Sequence, residues 1–304
     1  MDYDAIAAHF LTPTASPAPT PLVPTTPARV LRDAVEPIAT IGWWARSASQ
    51  QWTTLGHGFF DGYVWGRAAA LGADCTPSVV VSAFGVFSAA LLVPVYEQGR
   101  RTSTRDAVLA AREQGAIEGL RAATQSVAHD DVVLVGNALM RVLGSIEPGP
   151  RHLFGALQSV PVSADPYARA WRGAELFREH RGDSHLGACV SADLDMTEMN
   201  VFTEVWLGYP VGEYSGSRGF GAEELEAAAS RLRARGWFGA DNSLTDAGRR
   251  SREQIEAMTD TAQQRVVDAL HPGWDELVAA ARRIGDAILV AQAAPADPRK
   301  RAAG

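Results

Sequence analysis

The stretch 231–256, RLRARGWFGADNSLTDAGRRSREQIE, constrains the fold most, because it reads as the end of one helix, a short hairpin and the start of a second long helix. Leu232, Gly236 and Trp237 close the first helix, and Ala240-Asp241-Asn242-Ser243 supplies turn chemistry. Leu244-Thr245-Asp246-Ala247-Gly248 then restarts the chain with a Thr/Asp cap. Helix, hairpin, helix is the order of a winged helix, and the stretch names a fold element without naming a substrate or an operator.

The rest of the chain reads as helical. Apolar residues recur at three- and four-residue spacing over 28–46, 50–71, 77–98, 104–126 and 131–143, and again over 165–190, 197–207, 222–235, 245–270 and 274–293. The expected class is therefore all-α with a small winged-helix β-hairpin. A length of 304 residues at 46% hydrophobic content supports a large core, in one or two domains of ~150 residues each. Glu147-Pro148-Gly149-Pro150 is the best internal boundary, since prolines flanking a glycine end a helix and resist restarting one. The expected division is a proline-rich disordered leader over 1–27, a helical domain over 28–147, a winged-helix domain over 151–293 and a flexible tail over 294–304. An internal duplication of helical halves is a further expectation: Gly66-Arg67-Ala68 and the turn 71–74 before 79–84 echo Arg181-Gly182-Asp183 and the turn 191–193 before 199–202.

Charge and cysteine content exclude some functions. The net charge of −7 has the wrong sign for a protein held to nucleic acid by its overall field, so any DNA contact must come from a local patch. Cys75 and Cys189 are too few for a disulfide framework or a tetrahedral zinc site and read as buried free thiols in a reducing cytoplasm. No secretory signal opens the chain, so a cytoplasmic location is expected. The apolar run 79–95 is short for a membrane span and contains Pro94, which favours a buried core helix and no membrane partner. No Gly-rich phosphate loop, nucleophile elbow or His-Glu-x-x-His motif is present, and the sequence names no cofactor.

Two groups carry candidate chemistry. In Glu179-His180-Arg181-Gly182-Asp183-Ser184-His185, acids, bases and a cation crowd into seven residues. At ~100° per residue, Glu179, His180 and Asp183 fall on one side of a helix and Arg181 and His185 on the other, so a straight helix cannot bring all five to one point. Gly182, unfavourable inside a helix, suggests close approach by another backbone or a ligand. His180 with Asp183 is the candidate metal pair, or His180 a base oriented by a carboxylate; the alternative is an interhelical polar network. The second group, Trp43, Trp44, Trp52, His57, Phe59, Phe60, Tyr63, Trp65 and Arg67, suits a planar apolar ligand or a packed core. The candidate ligand-binding residues are thus Tyr63, Trp65, Arg67, Glu179, His180, Arg181, Asp183 and His185.

These motifs, with 62–69, 232–237, 244–248 and 255–260, resemble the SalK-like helix-turn-helix family of actinobacteria over about 28–293, and the wing segment alone is similar to MarR-type regulators. Ala70 departs from the proline expected in the first motif. The resemblance implies a winged-helix fold and a regulatory role, with no reaction attached. Within it, 222–235 corresponds to the recognition helix, whose start carries Glu223, Glu224 and Glu226, residues that repel phosphates. Arg231 and Arg235 at its far end, and Arg249 and Arg250 after the wing, are the candidate DNA contacts. The leading expectation is a homodimeric, small-molecule-responsive transcriptional regulator. The alternative is a small-molecule-binding protein or enzyme built on the 179–185 cluster, with the winged helix serving dimerisation.

Overall fold

Proline and glycine punctuation divides the chain into helices. A computed structural model describes residues 3–11 and 26–302; of the stretch 1–27 expected as a disordered leader, residues 12–25 lie outside the described residues, whereas Tyr3–Phe10 forms a helix. The helices are α1 (Tyr3–Phe10), α2 (Pro27–Trp44), α3 (Arg46–Thr54), α4 (Phe59–Ala68), α5 (Pro77–Phe84), α6 (Ala89–Thr102), α7 (Arg105–Ala123) and α8 (His129–Leu143). They continue as α9 (His152–Gln158), α10 (Pro166–Ser191), α11 (Met196–Trp206), α12 (Ala222–Ala234), α13 (Asp246–Thr261), α14 (Gln264–Leu270), α15 (Trp274–Val290) and α16 (Pro298–Ala302). The class is all-α.

Local chemistry sets the boundaries. Proline opens α2, α5 and α10, where its missing N–H costs nothing. Side chains of Thr26, Thr104, Asp165 and Thr245 cap α2, α7, α10 and α13, and Asp195 with Glu198 forms a reciprocal capping box on α11. Three runs expected as single helices are broken, 245–270 among them, which divides into α13 and α14 at Ala262-Gln263. Gly56 (φ 86°) separates α3 from α4, and Gly85 (φ 67°) separates α5 from α6, each in a left-handed conformation that glycine adopts without strain. The apolar run 79–95 therefore straddles two helices, and no helix among the described residues is long and apolar enough to cross a membrane.

Two hydrophobic cores form. The larger takes Leu31, Trp52, Val135, Phe154, Trp171 and Phe177 together with Val266, Ile284 and Ile288, so α14 and α15 return to pack with the first helices. The smaller contains Cys189, Val201, Phe202, Leu225, Leu232, Phe238 and Ile255. Helix α10 runs unbroken from one core into the other, contributing Trp171, Ala174 and Phe177 to the first and Ala188 and Cys189 to the second. Its first half is locked to α7 by buried Glu175, which pairs with Arg112 and Arg172. Buried Glu204 of α11 accepts the backbone N–H groups of Gly212, Tyr214 and Ser215, at 2.7, 3.1 and 2.9 Å, and so fixes the loop leading to α12.

The hairpin expected after α12 is reduced to a single antiparallel bridge, Phe238 with Leu244, and no strand forms among the described residues. The turn is too short to extend it: Gly239 N–H donates to Ser243 O at 2.8 Å, Asn242 sits at φ 63°, and Thr245 at once caps α13. The two stretches read as an internal duplication both follow helix, turn, helix paths, on helices of different length: 10 residues for α4 and 26 for α10.

Helices α8 and α10 approach closely through glycine. A Cβ on Gly136 would lie 2.9 Å from the Ala170 backbone nitrogen, whereas one on Gly187, later in α10, would meet nothing within 4 Å. Gly136→Ala should therefore destabilise the protein by roughly 1–3 kcal/mol through overpacking. Gly187→Ala should leave it unchanged or stabilise it by up to about 1 kcal/mol through helix propensity. Urea unfolding of both variants checks the difference in sign.

Candidate functional site

The middle turns of α10, between the two cores, carry side chains too polar to bury against hydrocarbon. Beside them lies a cavity of about 790 Å³. Its apolar wall is aromatic: Trp43 packs edge-on to Tyr63 (5.7 Å between ring centroids), Tyr63 stacks with Phe60 (6.2 Å), and Phe60 and Phe84 both meet Phe87 (5.8 and 6.3 Å). Trp206, packed on the smaller core, and Tyr214 also line it.

Two charged groups also line the cavity. In the first, Arg67 on α4 grips Glu179 through Nε (3.1 Å) and Nη2 (2.7 Å), and Arg178 bridges Glu179 and Glu36 at 3.1 and 3.2 Å. The two guanidiniums lie over Phe84 and Trp43. Burial opposes ionisation of Glu179, but Arg67 and Arg178 outweigh it and hold the carboxyl down to about 2. Asp183, one helical turn on, is pushed up to about 6 by burial, against the Phe154 N–H that it accepts at 3.0 Å.

The second group centres on Glu256 of α13. Arg252 (2.6 Å), Arg181 (3.1 Å) and Arg29 all pair with this one carboxylate, while Asp260 takes Arg29 at 3.3 Å and Arg181 at 3.5 Å. Arg252 lies over Trp206, 4.5 Å from the ring centroid. Burial pushes Glu256 up, but the surrounding cations dominate and hold it well below the usual carboxylate range. His185 completes the group. Thr259 Oγ1 already donates to Ile255 O, so it accepts from His185 Nδ1–H at 3.0 Å, leaving Nε2 to accept from Arg252 at 3.4 Å and from the Cys189 thiol at 3.7 Å. The ring is neutral: burial, then the cations Arg252 and Arg181, depress it to about 3. Burial pushes the Cys189 thiol up to about 11, which makes it a poor nucleophile.

The structure places the candidate ligand residues unevenly. Tyr63, Arg67, Glu179, Arg181, Asp183 and His185 line the cavity. The two faces of α10 that a straight helix keeps apart both reach it because the cavity wraps broadly around the helix. His180 lies elsewhere, its Nδ1–H donating to Gln263 Oε1 at 2.6 Å and its ring edge-on to Phe154, and burial lowers it to about 4. Trp65 is buried and donates to Ser103 O at 3.1 Å. His57 is buried between Asp61 and Ser103, at 3.0 and 2.7 Å. Among the described residues no group of three or more His, Cys, Asp or Glu is arranged to hold a metal ion, and His180 and Asp183 engage different partners. At Gly182 a Cβ would meet only Glu179 Oε2, at 3.8 Å, so bare backbone faces the cavity there.

Sequence reasoning missed Glu36, Arg178 and Glu256 because the pairs that define their roles, Glu36 with Arg178 and Glu256 with Arg181 and Arg29, join residues 142, 75 and 227 positions apart. A helical-wheel signal did exist for Arg252 and Glu256, an i,i+4 pair on α13.

The α11–α12 pair and its abbreviated wing present a mostly acidic surface. Glu223, Glu224 and Glu226 are exposed on α12. Arg231 is engaged by Glu198 (2.8 Å) and Asp195 (2.6 Å), and Arg235 donates to the Ala192 and Asp193 carbonyls, both at 2.7 Å, and lies over Trp237. Arg249 and Arg250, at the start of α13, are exposed.

Fold and site together define an all-helical protein with a charged, aromatic-walled cavity beside a helix that joins two hydrophobic cores. Residues 28–295 match the model of a helix-turn-helix family, and the chain belongs to that family. No curated protein and no solved structure matches the chain.

The buried imidazoles make stability depend on pH. Unfolded, each binds a proton near 6.5; folded, His180 does so near 4 and His185 near 3, so stability present at neutral pH is lost as pH falls below 6.5. Asp183 opposes part of this, since its carboxyl binds a proton near 6 when folded against 3.8 when unfolded. The net loss between pH 7 and pH 5 is on the order of 2 kcal/mol. His185→Gln should flatten that slope, as measured by urea unfolding at each pH.

Proposed function

We propose that this protein is a small-molecule-responsive transcriptional regulator, with the effector in the cavity and the α11–α12 unit facing DNA. The observation that carries the reading is that the cavity wall draws on both cores: Trp43, Phe84 and Phe177 from the larger, Cys189 and packed Met199 and Trp206 from the smaller. An occupant of such a cavity changes how the helix-turn-helix unit sits on the rest of the chain, which is the coupling a responsive regulator needs. Volume and lining are those of a small-molecule site, concave and largely apolar with a few converging polar groups. On this reading the units are the helical body and the winged-helix segment joined by α10, Arg249 and Arg250 contact phosphates, and a homodimer supplies the second half-site.

A specific observation favours a second reading. The exposed start of α12 is acidic, and Arg231 and Arg235 are already engaged within the protein, so the face that would enter the major groove repels it. The protein would then be a ligand carrier or enzyme that uses its helix-turn-helix unit for dimerisation.

Binding of labelled fragments from around its own coding region, titrated with salt against unrelated DNA, separates the two. Sequence-selective retention, weakened at least tenfold by Arg249→Gln/Arg250→Gln, supports the regulator. Absence of retention at low salt overturns it and leaves the carrier or enzyme. Cavity occupancy is read separately with the fluorescent dye 1-anilinonaphthalene-8-sulfonate. Gly182→Leu, which fills the cavity from bare helical backbone, should weaken dye binding at least tenfold while leaving the unfolding midpoint within a few degrees of the parent.

A further inference from the structure

The cavity is electrically two-ended. At one end, Arg67 and Arg178 meet Glu36 and Glu179, two cations against two anions, with the Asp183 carboxyl close by. At the other, three guanidiniums, Arg29, Arg181 and Arg252, share two carboxylates, Glu256 and Asp260, and the neighbouring His185 is neutral. The second end therefore retains one positive charge. Hydrogen-bond accounting agrees: three guanidiniums bring about fifteen N–H donors, against about eight lone-pair sites on two carboxylates. The Nε–H groups of Arg181 and Arg252 are buried without a hydrogen-bond partner among the described residues. Arg252, 2% exposed, carries part of this surplus deep inside the protein. Over the whole cavity, nine Arg or Lys side chains face five Asp or Glu among the described lining residues.

Resting on the cavity reading above, we infer that the ligand is an amphiphilic organic anion: a largely apolar, ring-containing body against the Trp43–Tyr63–Phe60–Phe87 wall, and one carboxylate, sulfonate or comparable group seated among Arg29, Arg181 and Arg252. One anionic group matches a surplus of one. A polyphosphate would leave the aromatic wall without an apolar partner, and a cation would meet the wrong sign. The closed Arg67–Glu179 pair holds no surplus charge, and the nearby Asp183 carboxyl would repel an anion, so the ligand enters with its charge toward α13 and its uncharged end toward α4. Removing one arginine from the Glu256 group leaves the remaining two still able to neutralise the carboxylates, so an arriving anion competes for a guanidinium without stranding a buried charge.

The test uses two dyes with the same ring system, 1-anilinonaphthalene-8-sulfonate and N-phenyl-1-naphthylamine, which differ only by the sulfonate. Both are titrated into the full-length protein by fluorescence at pH 7.5. The sulfonate should bind with one-to-one saturation and at least tenfold more tightly, although the uncharged dye is the more hydrophobic, because a charge-assisted hydrogen bond in a buried site outweighs the loss of solvation. Arg181→Gln, and separately Arg29→Gln at the more exposed edge of the group, should weaken the sulfonate about tenfold and leave the uncharged dye unchanged. Equal or tighter binding of the uncharged dye, or an equal loss of both dyes in a variant that still unfolds cooperatively, overturns the anion assignment while the cavity reading stands. Failure of both dyes to bind the parent protein, or sulfonate binding at many equivalent sites, overturns the cavity reading as well.

Discussion

One carboxylate holds the arrangement together. Glu256 of α13 receives Arg252 from its own helix, Arg181 from α10 and Arg29 from α2, so three elements meet at a single buried group. Taking a carboxylate out of water costs several kcal/mol, which its partners must offset, and removing Glu256 itself would leave its three arginines to bear that cost. The cluster therefore specifies where α13 lies against α10 and α2 more than it adds stability. Through Ile255, α13 belongs to the smaller core, while Leu31, Val35 and Ile38 of α2 belong to the larger. The relative placement of the two cores is written partly in charge, and charge is what an ionic ligand can rearrange.

The same residue type does opposite work along α10. At Gly173 a Cβ would come within 2.6 Å of Leu139 Cβ, so glycine there lets α8 and α10 touch. At Gly182 the missing side chain leaves space that belongs to the cavity. Close packing on one half of the helix and a void beside the other follow from what faces it: a helix with its own glycine at Gly136, or a shell of aromatic and charged side chains too long and too polar to collapse inward.

Much of the fold was legible because it is local. Three- and four-residue periodicity found α2, α7, α8, α10, α12 and α15 within a few residues, and Gly236 with Thr245 located the turn between α12 and α13. The breaks at Gly56 and Gly85 were missed because helical periodicity continues across a glycine until its backbone conformation is known. The wing was over-read, since turn residues announce a reversal of the chain but not how many pairs follow it, and here only Phe238 and Leu244 pair. In the site, the 179–185 cluster was visible as composition, and Arg67 with Tyr63 as a helical face. What composition cannot show is which member turns away: His180 and Glu179 are adjacent in sequence, yet one contacts Gln263 on the α13–α14 side and the other Arg67 on α4.

Whether such a site can transmit a signal is a question of differential affinity. A ligand shifts an equilibrium only by the ratio of its affinities for the two states, and moving a 1:99 population to 99:1 takes about 10⁴-fold, or ~5.5 kcal/mol. Apolar contact with the aromatic wall contributes little to that ratio if the wall is unchanged in both states. The Glu256 group differs in this respect, because an anion that takes one guanidinium alters the pairing of α2, α10 and α13 together. With charge-assisted hydrogen bonds worth roughly 1.5–3 kcal/mol each, two or three that exist in one arrangement only are enough to supply the required bias. On the proposed reading, the aromatic wall contributes affinity without response, whereas the arginines contribute both the affinity for the anion and the response.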